Sequence, residues 1–200
     1  MIKIGITGGI GSGKSFVASV LKEQYGIPVY DTDSRAKALM LTDATIRDGL
    51  IRLLGNEVYL SGQLNKPVLA AYLFASDENA RQINSLVHPA VKRDFVEWAD
   101  SQRTLATVVA VESAILFESG MDKLVDATVM VHAPMEVRIS RTMQRDNATR
   151  LQVEKRIRAQ MDDEQKCALA TYIIENDGVR SLTEQLEQLL NELNKSNSDK

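Results

Sequence analysis

A run of glycines followed by lysine and serine near the start of the chain has the spacing of a phosphate-binding loop. Residues 8–15 read GGIGSGKS and satisfy the pattern G-x-x-x-x-G-K-S. Glycines let backbone N–H groups curl around phosphate oxygens, and the following helix adds its N-terminal N–H groups. The motif predicts that Lys14 reaches the β- and γ-phosphates of a nucleoside triphosphate and that Ser15 offers its hydroxyl oxygen to Mg²⁺.

Carboxylates follow two apolar runs of the sequence. Asp31 and Asp33 come after residues 27–30, and Glu112 comes after 108–111. Ligands of open α/β sheets bind outside the carboxyl ends of the strands, so these acids are candidates for chemistry. Asp33 is the candidate general base for an attacking hydroxyl. Asp31 is a candidate to act on Mg²⁺ through bound water or to hold Lys14, and Glu112 is a candidate to organise Mg²⁺. The alternative is that the two aspartates cap the next helix, and that Glu112 is a surface turn residue.

Arginines are concentrated in the stretch that follows Pro134. Arg138, Arg141 and Arg145 are spaced by three and four residues, which places them on one face of a helix. Guanidinium groups bind phosphate bidentately and stabilise charge on a transferring phosphoryl group. A mobile lid would also exclude water from the reaction. The alternative is an ordinary solvated helix surface.

Short apolar runs alternate with amphipathic stretches, which indicates a parallel sheet with helices on both faces. The helical pattern at 16–25 ends at Gly26, a favourable C-terminal stop. The predicted fold is a three-layer α/β/α P-loop fold with a five-stranded parallel sheet. Its predicted strands are 2–6, 27–30, 106–111, 128–131 and 172–174.

Two stretches are longer than a simple crossover between parallel strands requires. Residues 35–103 are predicted to form a helical acceptor-binding domain, and residues 136–167, called here the arginine-rich segment, a helical lid. The nucleotide-binding core then comprises 1–34, 104–135 and 168–200, with a frayed polar tail from 194. Within the acceptor-binding domain the predicted helices are 44–54, 66–74, 79–86 and 90–102.

Composition narrows the range of partners. The 200 residues carry a net charge of −3, which argues against nucleic acid as the main partner. A single cysteine, Cys167, allows neither an internal disulfide nor a cysteine-based zinc cluster. No apolar run approaches the roughly 18 residues needed to span a bilayer, and the apolar start is too short for a signal peptide. We therefore expect a soluble cytoplasmic protein without a membrane partner, and a monomer, with a homo-oligomer left open.

Two classes of P-loop protein compete, namely a kinase that acts on a small acceptor and a GTPase-like switch. The switch motifs Asp-x-x-Gly after a strand and Asn-Lys-x-Asp do not occur, since residues 65–68 read NKPV. The sequence therefore favours the kinase, with ATP preferred over GTP.

With these residues in view, the chain resembles the dephospho-coenzyme A kinase family over most of its length. The order and spacing of several short pieces carry the resemblance. In chain order they are TGGIGSGKS at 7–15, DTD at 31–33, HP at 88–89, LFE at 116–118, Arg141, Arg145-Asp146, Arg156-Ile157 with Gln160, and Ile174 with Asn176 and Gly178. Ala114 departs from the family, which has proline there, and Ala170-Thr171 stands where the family often has Ala-Asp.

The resemblance implies that ATP, with Mg²⁺, phosphorylates the ribose 3′-hydroxyl of dephospho-coenzyme A to give coenzyme A. The implied catalytic residues are Lys14, Asp33, Arg141 and Arg145. The implied ATP-binding residues are Gly9, Gly11, Ser12, Gly13, Lys14, Ser15, Phe16, Arg141 and Asn176. The implied acceptor-binding residues are Thr7, Asp33, His88 and Glu118, and Ser15 binds Mg²⁺ with Asp31 or Glu112 acting through water.

Acceptor specificity rests on this resemblance and does not follow from the motifs themselves. Two alternatives stay open. One is another small-metabolite or nucleoside kinase on the same P-loop core, and the other is a nucleotide-gated binding protein that transfers no phosphoryl group.

Overall fold

In the computed structural model, which describes residues 1–198, the five predicted strands form one parallel sheet. The elements are, in chain order, β1 (Ile2–Thr7), α1 (Lys14–Tyr25), β2 (Val29–Asp31), α2 (Thr32–Thr42), α3 (Ala44–Leu54), β3 (Tyr59–Leu60), β4 (Gln63–Leu64), α4 (Lys66–Leu73), α5 (Asp77–Ser101), β5 (Val108–Glu112), β6 (Ala127–His132), α6 (Met135–Asp146), α7 (Arg150–Arg158), α8 (Asp163–Leu169), β7 (Tyr172–Glu175) and α9 (Leu182–Ser198). The strand order β2-β5-β1-β6-β7 confirms the predicted fold class.

The central strand β1 positions the start of the phosphate loop. It pairs in parallel with β5 on one side and β6 on the other, with Ile4 opposite both Ala110 and Ala127. Ile4 and Ile6 are fully buried because helices cover both faces of the sheet. Helix α1 packs Val17 into the same core and ends at Gly26, whose φ of 65° is the left-handed C-cap that the sequence predicts.

The chain divides into two units, one formed by Met1–Tyr30 with the residues from Ala99 onward, and the other by Asp31–Trp98. The second unit also buries apolar side chains, among them Ile46, Leu50 and Val58, which are fully inaccessible. The arginine-rich segment lies in the first unit. The division into a core, an acceptor-binding domain and a lid therefore stays a prediction.

The second unit is less purely helical than its sequence suggests. Strands β3 and β4 form an antiparallel hairpin in which Leu60 pairs with Gln63. Its two turn residues, Ser61 and Gly62, have φ of 50° and 79°, as a two-residue hairpin loop requires. Helix α2, which is not among the helices predicted for this unit, begins directly after β2, as the capping alternative for the two aspartates requires.

Helix α5 continues through Pro89, so the predicted helix boundary at His88 and Pro89 is wrong. A proline inside a helix removes one backbone hydrogen bond and costs about 3 kcal/mol. Apolar side chains at helical spacing are buried on both sides of it, including Val87, Val91 and Phe95. Each such side chain contributes about 1.5–3 kcal/mol on burial, so together they outweigh the cost of the proline.

The arginine-rich segment is helical, as predicted, and consists of α6, α7 and α8. Thr149 and Gln152 form a capping box that starts α7, and Asn147, with φ of 49°, ends α6. Buried Leu186, Leu189 and Leu193 hold α9 against the core, and the helix continues to Ser198, so the polar tail predicted from 194 begins inside a helix. The last two residues of that tail lie outside the described part of the chain.

None of the helices described within residues 1–198 is both long enough and apolar enough to cross a bilayer.

Candidate active site

The phosphate loop connects the end of β1 to the start of α1, which is the strand–loop–helix context that the motif requires. The amide of Ser12 donates to the carbonyl of Gly9 at 3.0 Å and closes the turn. Gly13 has φ of 92°, a left-handed conformation that glycine adopts without strain, and its carbonyl accepts the first helical bond from Val17. The positive end of the α1 dipole therefore begins at Lys14, where an anion is favoured.

Lys14, Ser15 and Glu112 are brought together at the start of α1 and the end of β5. The Ser15 hydroxyl donates to Glu112 Oε1 at 2.5 Å, and Lys14 Nζ lies 3.9 Å from the same oxygen. A hydroxyl beside a carboxylate is a donor set that suits Mg²⁺, which commonly takes one or two protein ligands together with substrate phosphates. The described residues contain no cluster of three or more His, Cys, Asp or Glu side chains that could hold a metal.

Asn176 contacts the phosphate loop directly, and Arg141 bonds to Asn176. The Asn176 amide donates to the Ser12 carbonyl at 2.8 Å, and Arg141 donates to the Asn176 carbonyl at 3.0 Å. A Cβ added to Gly13 would overlap the Asn176 side-chain nitrogen, so this close approach needs a glycine. The structure thus assembles three residues that are far apart in sequence and that were predicted to bind ATP.

The remaining predicted loop residues differ in exposure. Thr7 and Ser12 are buried, and within residues 1–198 neither hydroxyl oxygen has a hydrogen-bond partner. Phe16, in contrast, leaves 59% of its surface exposed on the first turn of α1. Within that part of the chain, two buried hydroxyls thus stay without a partner, one in the phosphate loop and one at the last residue of β1.

The Arg145 side chain bonds to Asp146 and not to Asn176, the partner of Arg141. It donates to its neighbour Asp146 at 2.7 Å, and Arg156 of α7 donates to the same carboxylate at 2.6 Å. These two hydrogen bonds hold the pKa of Asp146 well below its usual range. The three arginines of α6 thus have three different partners. Arg138 bonds to the phosphate loop, Arg141 to the Asn176 carbonyl, and Arg145 to Asp146.

Glu118 accepts hydrogen bonds from the protein, although it was predicted to bind the acceptor. Lys166 is fully buried, with its ammonium 3.0 Å from Glu118 Oε1 and donating to the Ala114 carbonyl at 2.7 Å. The amide of Met161 donates to the same carboxylate at 3.1 Å. The loop after β5 is thereby tied to the end of the arginine-rich segment, and acceptor binding by Glu118 stays a prediction.

We expect Glu118→Gln to lower the free energy of unfolding by about 3 kcal/mol, because it leaves the Lys166 ammonium buried without a counter-charge. Urea unfolding followed by circular dichroism measures the change. Glu154→Gln is the matched control, since its partner Arg150 is half-exposed and keeps an ion pair with Glu136, so the loss should cost less than about 1 kcal/mol. Equal losses in the two variants would contradict the assignment.

The second unit carries the candidate base. Asp31 is the N-cap of α2 and accepts from the amides of Asp33 and Ser34, and it also accepts from the Ser34 hydroxyl at 2.5 Å. The exposed Asp33 carboxylate has no partner within residues 1–198. Of the two aspartates that were considered as helix caps, only Asp31 caps α2 with its side chain. The Asp33 carboxylate is left to act as a base.

His88 lies on α5 and is half-buried. Its pKa is lowered by burial and, to a lesser degree, by the positive charge of Lys92 one turn away. His88 is therefore neutral near pH 7 and offers one donor and one acceptor nitrogen.

A family model described as dephospho-CoA kinase matches residues 2–181 of the chain. The chain belongs to the dephospho-CoA kinase family. It is accordingly a kinase that transfers phosphoryl groups, which confirms the choice of a kinase over a switch protein. Assignments of individual residues in this family member stay predictions.

Curated relatives and solved structures agree with membership of the dephospho-CoA kinase family. A dephospho-CoA kinase of Bacteroides fragilis is 49% identical over 189 residues, covering 94% of this chain and 91% of the relative. One of Porphyromonas gingivalis is 44% identical over 170 residues, covering 85% and 82%. A crystal structure from Thermus thermophilus superposes with a TM-score of 0.82 at 38% identity, covering 96% of this chain and 97% of that one.

More distant neighbours of this dephospho-CoA kinase family member share only its fold. The shikimate kinase of Acinetobacter baumannii superposes with a TM-score of 0.54 at 20% identity, covering 100% of this chain and 96% of that one. The fold of this chain is thus shared with a protein named shikimate kinase.

The sequence missed one part of the site in this family member. The buried pair Arg138–Asp163 lies against the phosphate loop, and Gln160 bonds to the same loop. The spacing of Arg138 from Arg141 predicted a shared helix face, but nothing in the sequence indicated that the Arg138 side chain bonds to the phosphate loop. Only the packing of α6 against the loop shows this.

Proposed function

We propose that the chain transfers the γ-phosphoryl group of ATP to the ribose 3′-hydroxyl of dephospho-CoA, giving CoA and ADP. The observation that carries this acceptor is the 49% identity, over 94% of the chain, to a protein named dephospho-CoA kinase. A cytoplasmic location and a monomeric state belong to the same proposal as expectations from the sequence.

The triphosphate lies in the phosphate loop in this proposal. Backbone amides from Gly11 to Ser15 and the Lys14 ammonium neutralise the β- and γ-phosphates at the N-terminus of α1. The hydrogen-bonded arrangement of Arg141, Asn176 and Ser12 supports a neighbouring place for the adenine. Stabilisation of charge on the moving phosphoryl group is the largest contribution that such a site makes.

Ser15 and Glu112 are the residues that would hold Mg²⁺. The 2.5 Å bond between their oxygens places a hydroxyl and a carboxylate at one point beside Lys14. When bound, Mg²⁺ supplies positive charge that offsets the negative charge of the phosphate oxygens. Asp31 is the weaker candidate for this role, because its carboxylate already caps α2.

Asp33 is the proposed general base for the acceptor. Its carboxylate takes the proton of the 3′-hydroxyl while that oxygen forms a bond to the γ-phosphorus and the bond from the γ-phosphorus to the ADP oxygen breaks. Its exposure and its lack of a partner within residues 1–198 support this role. His88, in the same unit, is proposed to lie in the acceptor-binding domain.

The arginine-rich segment is proposed to act as the lid that excludes water. Its helical structure and its position in the first unit support this role. Arg145 would then contribute positive charge from the end of α6, where Asp146 and Arg156 orient it. Hydrolysis of ATP by water is the side reaction that a lid suppresses.

An acceptor screen tests the proposal. The protein is given ATP and Mg²⁺ with dephospho-CoA, then with nucleosides, nucleoside monophosphates or shikimate, and ADP release is coupled to NADH oxidation. We expect turnover with dephospho-CoA alone, loss of turnover when EDTA removes Mg²⁺, and a 3′-phosphorylated product by mass spectrometry. Faster turnover with a nucleoside would contradict the acceptor, and ATP binding without transfer to any acceptor would contradict the reaction.

A further inference from the structure

Both backbone polar groups of Ile10, in the phosphate loop, are hydrogen-bonded by side chains of the arginine-rich segment. Its carbonyl accepts a hydrogen bond from Arg138 Nε at 3.0 Å, and its amide donates to Gln160 Oε1 at 2.9 Å. The two partners come from α6 and from the link between α7 and α8. The loop is therefore fixed at this point by side chains almost 130 and 150 residues away in sequence.

Arg138 is held rigidly in place. Only 2% of its surface is exposed, and its guanidinium forms an ion pair with Asp163 of α8. Burial lowers the pKa of Arg138, and the negative charge of Asp162 opposes that shift. A Cβ added to Gly9 would overlap this guanidinium, so the arginine fills the space that the glycine leaves. A buried ion pair often adds little net stability to a protein. The Arg138–Asp163 pair therefore serves better to place the phosphate loop than to stabilise the fold.

We infer that Arg138, oriented by Asp163, and Gln160 are positioning residues that set the shape of the phosphate loop for ATP. They bond to both the carbonyl and the amide of Ile10, which leaves the amides that follow in the loop to bind phosphate. A loop held in its binding shape loses less conformational freedom when the ligand binds, and this raises affinity. The inference rests on the proposed ATP site and adds residues to it that were not among the predicted ATP ligands.

The test uses Arg138→Met combined with Asp163→Leu, which replaces a buried ion pair by apolar side chains that such sites commonly tolerate. We expect the Kd for ATP, measured by equilibrium dialysis without acceptor, to rise about tenfold, the scale of one lost charge-assisted hydrogen bond. The KM for ATP should rise in parallel, with kcat and the KM for dephospho-CoA changed less than about twofold. Arg150→Met with Glu136→Leu is the matched control, because it removes an exposed ion pair of the same segment and should leave all four constants unchanged.

A structural role alone would lower the melting temperature and the fraction of active protein without changing the Kd of the folded molecules. Gln160→Met gives a second, independent measurement, because it removes only the acceptor for the Ile10 amide. A Kd for ATP within twofold of wild type in both folded variants would overturn the inference. A wild-type protein that binds ATP but fails to phosphorylate dephospho-CoA would contradict the proposed function instead, since the Kd comparison needs no acceptor.

Discussion

Replacing Lys14 with alanine is expected to lower kcat/KM by about 10³-fold or more, because it removes the one ammonium group at the phosphate loop. Lys14 is the first residue of α1, and its Nζ lies 3.9 Å from Glu112 Oε1. The side chain therefore reaches the point where the γ-phosphate and Mg²⁺ are proposed to meet. Equilibrium dialysis with Mg-ATP should show loss of binding, and steady-state kinetics with dephospho-CoA should show the loss of turnover.

Lys22→Ala is the matched control for this prediction. Lys22 lies on the last turn of the same helix and is exposed, so its loss removes one positive charge without touching the loop. Its kinetic constants should stay within about twofold of wild type. If Lys14→Ala bound Mg-ATP as tightly as this control, the phosphate loop would not be the nucleotide site and the proposed function would fail with it.

The part of the site that the sequence predicted well is local in the chain. Glycine spacing, the lysine and the serine of the loop lie within eight consecutive residues, and the preceding strand and following helix have clear periodicity. The parallel sheet was predictable for a similar reason, since strands buried on both faces are continuous apolar runs. Asp31, Asp33 and Glu112 were predicted at the carboxyl ends of strands from the apolar runs before them, and Asp31 and Glu112 are the last residues of β2 and β5.

The parts that the sequence did not predict depend on contacts between distant residues. Arg138 has the same charge and spacing whether it faces solvent or bonds to Ile10, and only packing decides between the two. Helix α5 continues through Pro89 because its buried side chains lie on both sides of the proline, which outweighs a strong local preference. The hairpin at Ser61 and Gly62 was missed although its turn residues are of a favourable type, because each of its strands has only two residues.

Asp33→Asn is expected to lower turnover by about 10²–10⁴-fold while leaving the Kd for ATP unchanged. Asparagine keeps the size and polarity of the side chain but cannot accept the proton of the 3′-hydroxyl. The α2 helix should be retained, since its cap is Asp31 and not Asp33. Single-turnover kinetics with excess enzyme measure the chemical step apart from product release, and dialysis measures ATP binding.

Asp43→Asn is the control that separates chemistry from helix capping in the same unit. Asp43 caps α3 by accepting from the amide of Ile46, and asparagine caps a helix about as well as aspartate. Its turnover should therefore stay within about twofold of wild type. If Asp33→Asn loses turnover but still binds ATP, and Asp43→Asn keeps its turnover, the lost step is proton acceptance by Asp33. ATP binding, the fold and the size of the side chain are all preserved in Asp33→Asn. Near-normal turnover in Asp33→Asn would remove this carboxylate from the mechanism, and the base would then have to be sought among the groups that bind the acceptor.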